Sequence, residues 1–148
     1  PPPLALALDI LVEAPLPVGL DLGRLERLAR FALEQEGATG RWAVAVALVD
    51  DRRLQDLHRD FMGIDEPTDV MTFPSDEPGT SGGDIAVSVD RAASQGPAFG
   101  HSAAEETAFL VVHGLLHLCG WDDPTPDDRA AMLARQTEIM RLFDGNGR

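Results

Sequence analysis

Two histidines four residues apart, His113 and His117, stand in an apolar run that ends Leu118-Cys119-Gly120-Trp121-Asp122-Asp123. On a helix, residues at this spacing share a face, because four residues turn the chain by slightly more than one revolution. The two imidazoles can therefore grip one ion together. Gly120 permits the positive backbone angles that end a helix, so the chain can turn back and bring a carboxylate, Asp122 or Asp123, beneath the rings. Either aspartate suits the third place, and the other is then free to cap the next helix. A His2Asp set leaves one tetrahedral position for water, which a bound Zn²⁺ acidifies towards neutral pH, so the chemistry implied is hydrolytic. Two histidines and a carboxylate also suit iron, so spacing alone does not select the metal.

The spacing is that of the metzincin proteases, with a carboxylate in the last ligand position. The glutamate that serves there as general base is Gly114 here, and a peptidase reading loses its base. Gly114 either lets backbone or substrate approach the metal or permits tight helix packing, at a cost of roughly 1 kcal/mol relative to Ala. Cys119 lies off the histidine face and reads as core. Trp121 either packs over the turn or stacks a base at the mouth of the site. His58 and His101 carry no signal in their spacing.

The elements that must position this site follow from periodicity. Residues 4–12 are apolar and read as a strand, and Pro15 and Pro17 mark a break. Leu22, Leu25, Leu28, Ala29 and Ala32 recur at helical spacing between an Asp21 N-cap and a Gly37 stop. Residues 42–49 alternate large with small as a central strand, apolar on both faces. Asp50 or Asp51 caps a helix to about Met62, with Leu54, Leu57, His58 and Phe61 inward, and Gly63 ends it. Residues 67–74 are β-rich and bracketed by prolines, which suits an edge strand. Residues 75–83 read as a loop, 83–89 as the next strand, and Asp90 as the cap of a helical turn at 91–95. Ser102 with Glu105 forms a capping box for the helix that carries both histidines. Thr125-Pro126-Asp127-Asp128 opens a last helix to about Phe143. The class is α/β with α+β mixing: one domain over residues 1–148, a central mixed sheet of about four strands, and helices around a metal-binding cleft. Residues 1–3 and 145–148 are expected to fray.

The length of 148 residues suits one domain, and the single cysteine excludes a disulfide framework and fits the cytoplasm. No apolar run is long enough to span a bilayer. Net charge is −13, from 25 acidic residues against 12 basic ones, all arginine, which argues against non-specific nucleic-acid binding. Arg24, Arg27 and Arg30 either form a basic ridge or, with Glu26, Glu34 and Glu36 interleaved, a solvated face.

The sequence resembles the YbeY proteins, bacterial metal-dependent endoribonucleases of ribosomal RNA maturation. The matching blocks are His113 to Asp123, Arg59 followed by Pro67-Thr68-Asp69-Val70-Met71-Thr72-Phe73-Pro74, then Gly83-Asp84-Ile85, with Met132 and Glu138 in the closing helix. They fall in order between about residues 50 and 140, while the first 40 residues match only as strand then helix. The family usually has a third histidine where this chain has Asp123, which makes the site less cationic, and more often Asn where Gln55 stands. The resemblance implies His113, His117 and Asp123 as ligands of one divalent metal, Zn²⁺ first. It also implies Arg59 as the residue facing the scissile phosphate, and Thr68 and Asp69 as cleft-lining residues that contact substrate. A guanidinium suits that role, since its planar fork matches phosphate oxygens. On residue pattern alone Arg59 reads as a surface ion pair with Asp56 or Asp60.

The implied function is a single-strand-specific endoribonuclease acting in ribosomal RNA maturation and ribosome quality control. Its partners would be single-stranded or ribosomal RNA, small-subunit ribosomal proteins or an assembly GTPase, with no membrane. Two alternatives are a metzincin-like metallopeptidase and a non-catalytic ribosome-assembly factor with a structural metal. The acidic balance fits RNA if Arg24, Arg27, Arg30, Arg52, Arg53 and Arg59 gather around the cleft, or if a protein partner delivers the RNA.

Overall fold

The computed structural model describes residues 2–146. Strands β1 (Leu4–Val12) and β2 (Gly40–Val49) run parallel, with Leu6 opposite Trp42 and Ile10 opposite Val46. Parallel neighbours need a crossover, and helix α1 (Leu22–Gln35) supplies it. Strand β4 (Ser81–Ser88) pairs parallel with the far side of β2, and short β3 (Val70–Pro74) closes that edge antiparallel to β4. The order β1-β2-β4-β3 puts β2 inside, as its two apolar faces require, and the proline-bracketed β3 at the edge. The mixed four-stranded sheet of an α/β domain is therefore formed.

Strand alternation divides the packing into two layers. Leu6, Leu8, Val44, Val46, Leu48, Ile85 and Val87 face the main core, which α1, α4 (Ala103–Leu118) and α5 (Pro126–Gly145) cover. Ala47, Val49, Ala86 and Met71 lie on the other face, beneath Leu54 of α2 (Asp51–Met62). Helices α1 and α2 therefore sit on opposite sides of the sheet. Arg24, Arg27 and Arg30 on α1 do not gather with Arg52, Arg53 and Arg59 on α2 into one basic face. Arg24 pairs with Asp144 and lies 4.8 Å over the Phe143 ring, a structural role.

Other local expectations shift for identifiable reasons. Short α3 (Val89–Gln95) is capped by Ser88, whose hydroxyl accepts from Arg91 N–H at 3.0 Å, and not by Asp90. The Asp90 carboxylate is turned instead to Asp51 N–H at 2.8 Å, where it helps hold the start of α2. Strand β4 begins at Ser81, two residues earlier than its alternation suggests, because Gly82 and Gly83 are already paired with β2. Phe61 is 65% exposed and meets the Phe73 ring edge-on at 5.2 Å, so it rims the sheet face and is not part of the core. At the ends, Gly40 N–H donates to the Pro2 and Pro3 carbonyls, so these residues are tied down. Gly145 is helical, and the expected fraying of residues 1, 147 and 148 falls outside the described residues.

The capping box of α4 is formed as its sequence implies. Glu105 N–H donates to Ser102 Oγ at 3.1 Å, and Ser102 N–H donates to Glu105 Oε1 at 2.9 Å. The Ser102 backbone bond, then its side chain, holds the Glu105 carboxyl below the usual range. A depressed folded value means that this stabilisation is present above the unfolded carboxyl value and fades as pH falls through the folded one. Ser102→Ala is expected to cost about 1 kcal/mol, or roughly 2–4 °C in Tm. Because the alanine variant keeps the backbone N–H that is the larger cause of the Glu105 shift, most of this loss should persist near pH 3 in thermal unfolding scans.

Candidate metal centre

Helix α4 seats against β4 and β3, and Gly114 sets how closely. A Cβ at that position would stand 2.7 Å from Ile85 Cγ2 and 3.1 Å from its Cδ1, inside contact distance. Gly114 is thus a packing glycine facing the sheet. The next face of the helix carries His113 and His117, whose side chains are 17% and 23% exposed. Beyond Leu118, Gly120 takes φ 104° and turns the chain back, and Trp121 N–H closes the turn on Leu116 O at 3.0 Å.

That turn brings Asp123 beneath the rings. His113 Nε2 and His117 Nε2 are 3.0 Å apart, with Asp123 Oδ2 and Oδ1 at 3.5 and 3.6 Å from them respectively. Tetrahedral zinc with bonds of about 2.05 Å spaces its ligands about 3.3 Å apart, so the triangle has the size of one face of such a polyhedron. Among the described residues these are the only three His, Cys, Asp or Glu side chains whose ligand atoms lie within 4.8 Å of one another. Asp122 turns away and accepts Asp123 N–H at 2.9 Å, and the helix that follows is capped by Thr125, so the aspartate outside the triangle does not take the capping role.

The donor set also fits a cation chemically. His117 Nδ1 lies 2.9 Å from the Trp121 carbonyl. A carbonyl can only accept, so this network assigns the proton to Nδ1 and leaves the Nε2 lone pair aimed into the triangle. Trp121 is itself held: its indole N–H donates to Glu36 Oε1 at 2.6 Å, and Arg135 Nε donates to Glu36 Oε2 at 2.7 Å. Trp121 therefore packs over the turn and is tied to the end of α1. Cys119 caps α4 partly buried against the core, and burial, then Glu36, pushes its thiol up to about 11. Such a thiol is a poor ligand and a poor nucleophile at neutral pH.

The remaining expected site residues fall in two places. Asp69 and His113 line one cavity of about 100 Å³ together with Gln95, Glu106 and Gln136. Asp69 Oδ2 accepts from Gln95 Nε2 at 3.1 Å, which also donates to Glu106 Oε2 at 2.8 Å. Glu106 Oε1 meets His101 Nδ1 at 2.7 Å, and the whole glutamate is 1% exposed. This chain of polar groups has no regular spacing and was not visible in the sequence. Thr68 is half-buried just before β3. Arg59 lies on the exposed side of α2, with bonds to Asp60 at 3.1 Å and Asp56 at 3.2 Å. Its hydrogen bond to Asp60, then that charge, holds the guanidinium still more firmly protonated. The surface ion pair is present, and no contact links Arg59 to the histidines among the described residues.

A four-stranded α/β domain with a helix-borne His2Asp triangle and no adjoining glutamate base belongs to the class of metal-dependent hydrolases outside the proteases. The family model described as Endoribonuclease YbeY matches residues 21–144, and the chain belongs to that family. Proteins named Endoribonuclease YbeY are similar over most of their length. The one from Symbiobacterium thermophilum is 43% identical, covering 78% of this chain and 82% of its own. The one from Moorella thermoacetica is 40% identical, covering 86% and 90%. The solution structure of TM1509 from Thermotoga maritima superposes with a TM-score of 0.63 at 27% identity, covering 96% of this chain and 92% of that one. By their name these relatives are endoribonucleases. Among the described residues, no helix is long and apolar enough to cross a membrane.

Proposed function

We propose that this chain is a metal-dependent, single-strand-specific endoribonuclease that acts in the cytoplasm on ribosomal RNA during its maturation and quality control. The observation that carries the reading is the His113–His117–Asp123 triangle, sized for one divalent ion, on a chain that the Endoribonuclease YbeY family spans from residue 21 to residue 144. Zn²⁺ is the metal favoured by two imidazoles and one carboxylate in a small triangle. When bound, it supplies positive charge for a phosphoryl oxygen and acidifies a water. Asp123 in place of a neutral ligand lowers the charge of the loaded centre by one.

In this reading Arg59 answers the phosphate. Its two aspartate partners are exposed or half-exposed, so a phosphate group can replace them at little cost. Asp69 lines the cavity that reaches His113, and Gln95 holds it in place, with Thr68 the residue just before it in the chain. Small-subunit ribosomal proteins or an assembly GTPase would deliver the RNA, which suits a chain whose net charge is −13. The peptidase reading is not favoured, because position 114 packs on Ile85 with no room for a base.

The test is Arg59→Glu, assayed on single-stranded and duplex RNA with metal content measured in parallel. Cleavage of single strands should fall roughly 10²–10³-fold, the loss seen when one transition-state charge donor is removed, with bound metal unchanged. Undiminished cleavage removes Arg59 from its role. A parent protein that cuts neither RNA, with metal bound, removes the nuclease reading.

A further inference from the structure

We infer that Gln136 is a positioning residue for the metal centre: it locks His113 in the Nδ1–H tautomer and so commits Nε2 to ligation. The inference rests on the metal reading of the triangle. Gln136 sits on α5, 1% exposed, in the apolar stripe that runs through Met132, Ile139 and Phe143. A buried amide costs free energy unless both its ends are bonded. Here Oε1 lies 2.7 Å from His113 Nδ1, and Nε2 lies 3.2 Å from the Phe109 carbonyl.

The direction of the amide follows from Phe109. Reversed, it would press Oε1 against a carbonyl oxygen, acceptor on acceptor, and forfeit that bond. With Nε2 spent on Phe109, Oε1 can only accept, so His113 must donate through Nδ1. Phe109 lies one helical turn before His113 on α4, so the same amide holds the backbone and the ring of one helix face.

The consequence appears at the other nitrogen. His117 is fixed with its proton on Nδ1 by the Trp121 carbonyl, and His113 by Gln136. The two neutral rings then point Nε2 lone pairs at each other across 3.0 Å with no hydrogen between them. Asp123 adds a carboxylate to the same space. A divalent cation in the triangle relieves that opposition while taking all three donors at once. The outer partners thus aim the donors before the ion arrives, as carboxylates and carbonyls do behind metal-bound imidazoles generally.

The experiment compares Zn²⁺ binding by calorimetry for the parent, Gln136→Met and Gln136→Glu, with nitrogen NMR of the histidine rings in the metal-free proteins. Gln136→Met keeps the volume and removes the acceptor; it should bind Zn²⁺ about 10–100-fold more weakly and show His113 in mixed tautomers. Gln136→Glu keeps an acceptor for His113 Nδ1–H but loses the donor to the Phe109 carbonyl, so it should keep the Nδ1–H tautomer in the NMR spectra and bind Zn²⁺ more tightly than Gln136→Met, though more weakly than the parent. Parent-like binding by Gln136→Met overturns the role of Gln136 and leaves the metal centre standing. The role is equally overturned if His113 of the metal-free parent carries its proton on Nε2, a readout that needs no variant to fold. A parent that takes up no Zn²⁺ overturns the centre itself, and this inference with it.

Discussion

His117→Ala is expected to yield a folded protein that no longer retains metal and no longer cleaves RNA. The triangle would supply three ligands, and a structural zinc site is worth about 10 kcal/mol or more, so losing one ligand would cost roughly 3 kcal/mol, about 100-fold in affinity. Stability should suffer little by comparison. The side chain is 23% exposed, and its deletion frees only the bond to the Trp121 carbonyl, about 1 kcal/mol. Elemental analysis of parent and variant, purified side by side, reads the first effect, and a thermal scan of both without metal reads the second. Stoichiometric metal in His117→Ala would remove this residue from the ligand set. Arg59→Glu is the contrasting case, since there activity falls while metal stays.

Gly114→Glu should be the most destabilising change at the site. It restores the protease-like sequence His-Glu-x-x-His, yet its Cβ would begin 2.7 Å from Ile85 Cγ2. Overpacking of this kind costs about 1–3 kcal/mol, and an unpaired carboxylate enclosed beside Ile85 adds several kcal/mol. Together these approach the whole stability of an ordinary domain, about 5–15 kcal/mol. Denaturant titration should show loss of most of the folding free energy, and a peptide-library digest should show no new cleavage. A stable Gly114→Glu protein with peptidase activity would reopen the metallopeptidase alternative.

The residues legible in the sequence were those whose signals are local. The four-residue spacing of His113 and His117, the Ser102 capping box, the Thr125-Pro126 start and the two-faced apolar run of β2 each follow from a few neighbouring residues, and each forms as read. The choice between Asp122 and Asp123 was open on spacing, because it depends on how the chain leaves Gly120, which only the closed turn decides. Gln136 had a faint signal, a polar residue on the Met132–Ile139–Phe143 stripe, but what it bonds lies 23 residues away. Glu36, Glu106 and Gln95 had none. Their partners are brought together by packing of elements far apart in the chain, and no periodicity encodes that. Whether the arginines gather is open in the sequence for the same reason: composition counts charges but does not say on which side of a sheet each helix lands.

The Glu36 carboxylate, which accepts from both Trp121 and Arg135, ties the end of α1 to the metal loop and to α5 across 85 and 99 residues. During synthesis α1 emerges early and the two histidines late, so the loop can take its final shape only after the first third of the chain has docked. A metal held at the triangle would then mark a chain in which the first helix, the histidine helix and the last helix have all docked on one another.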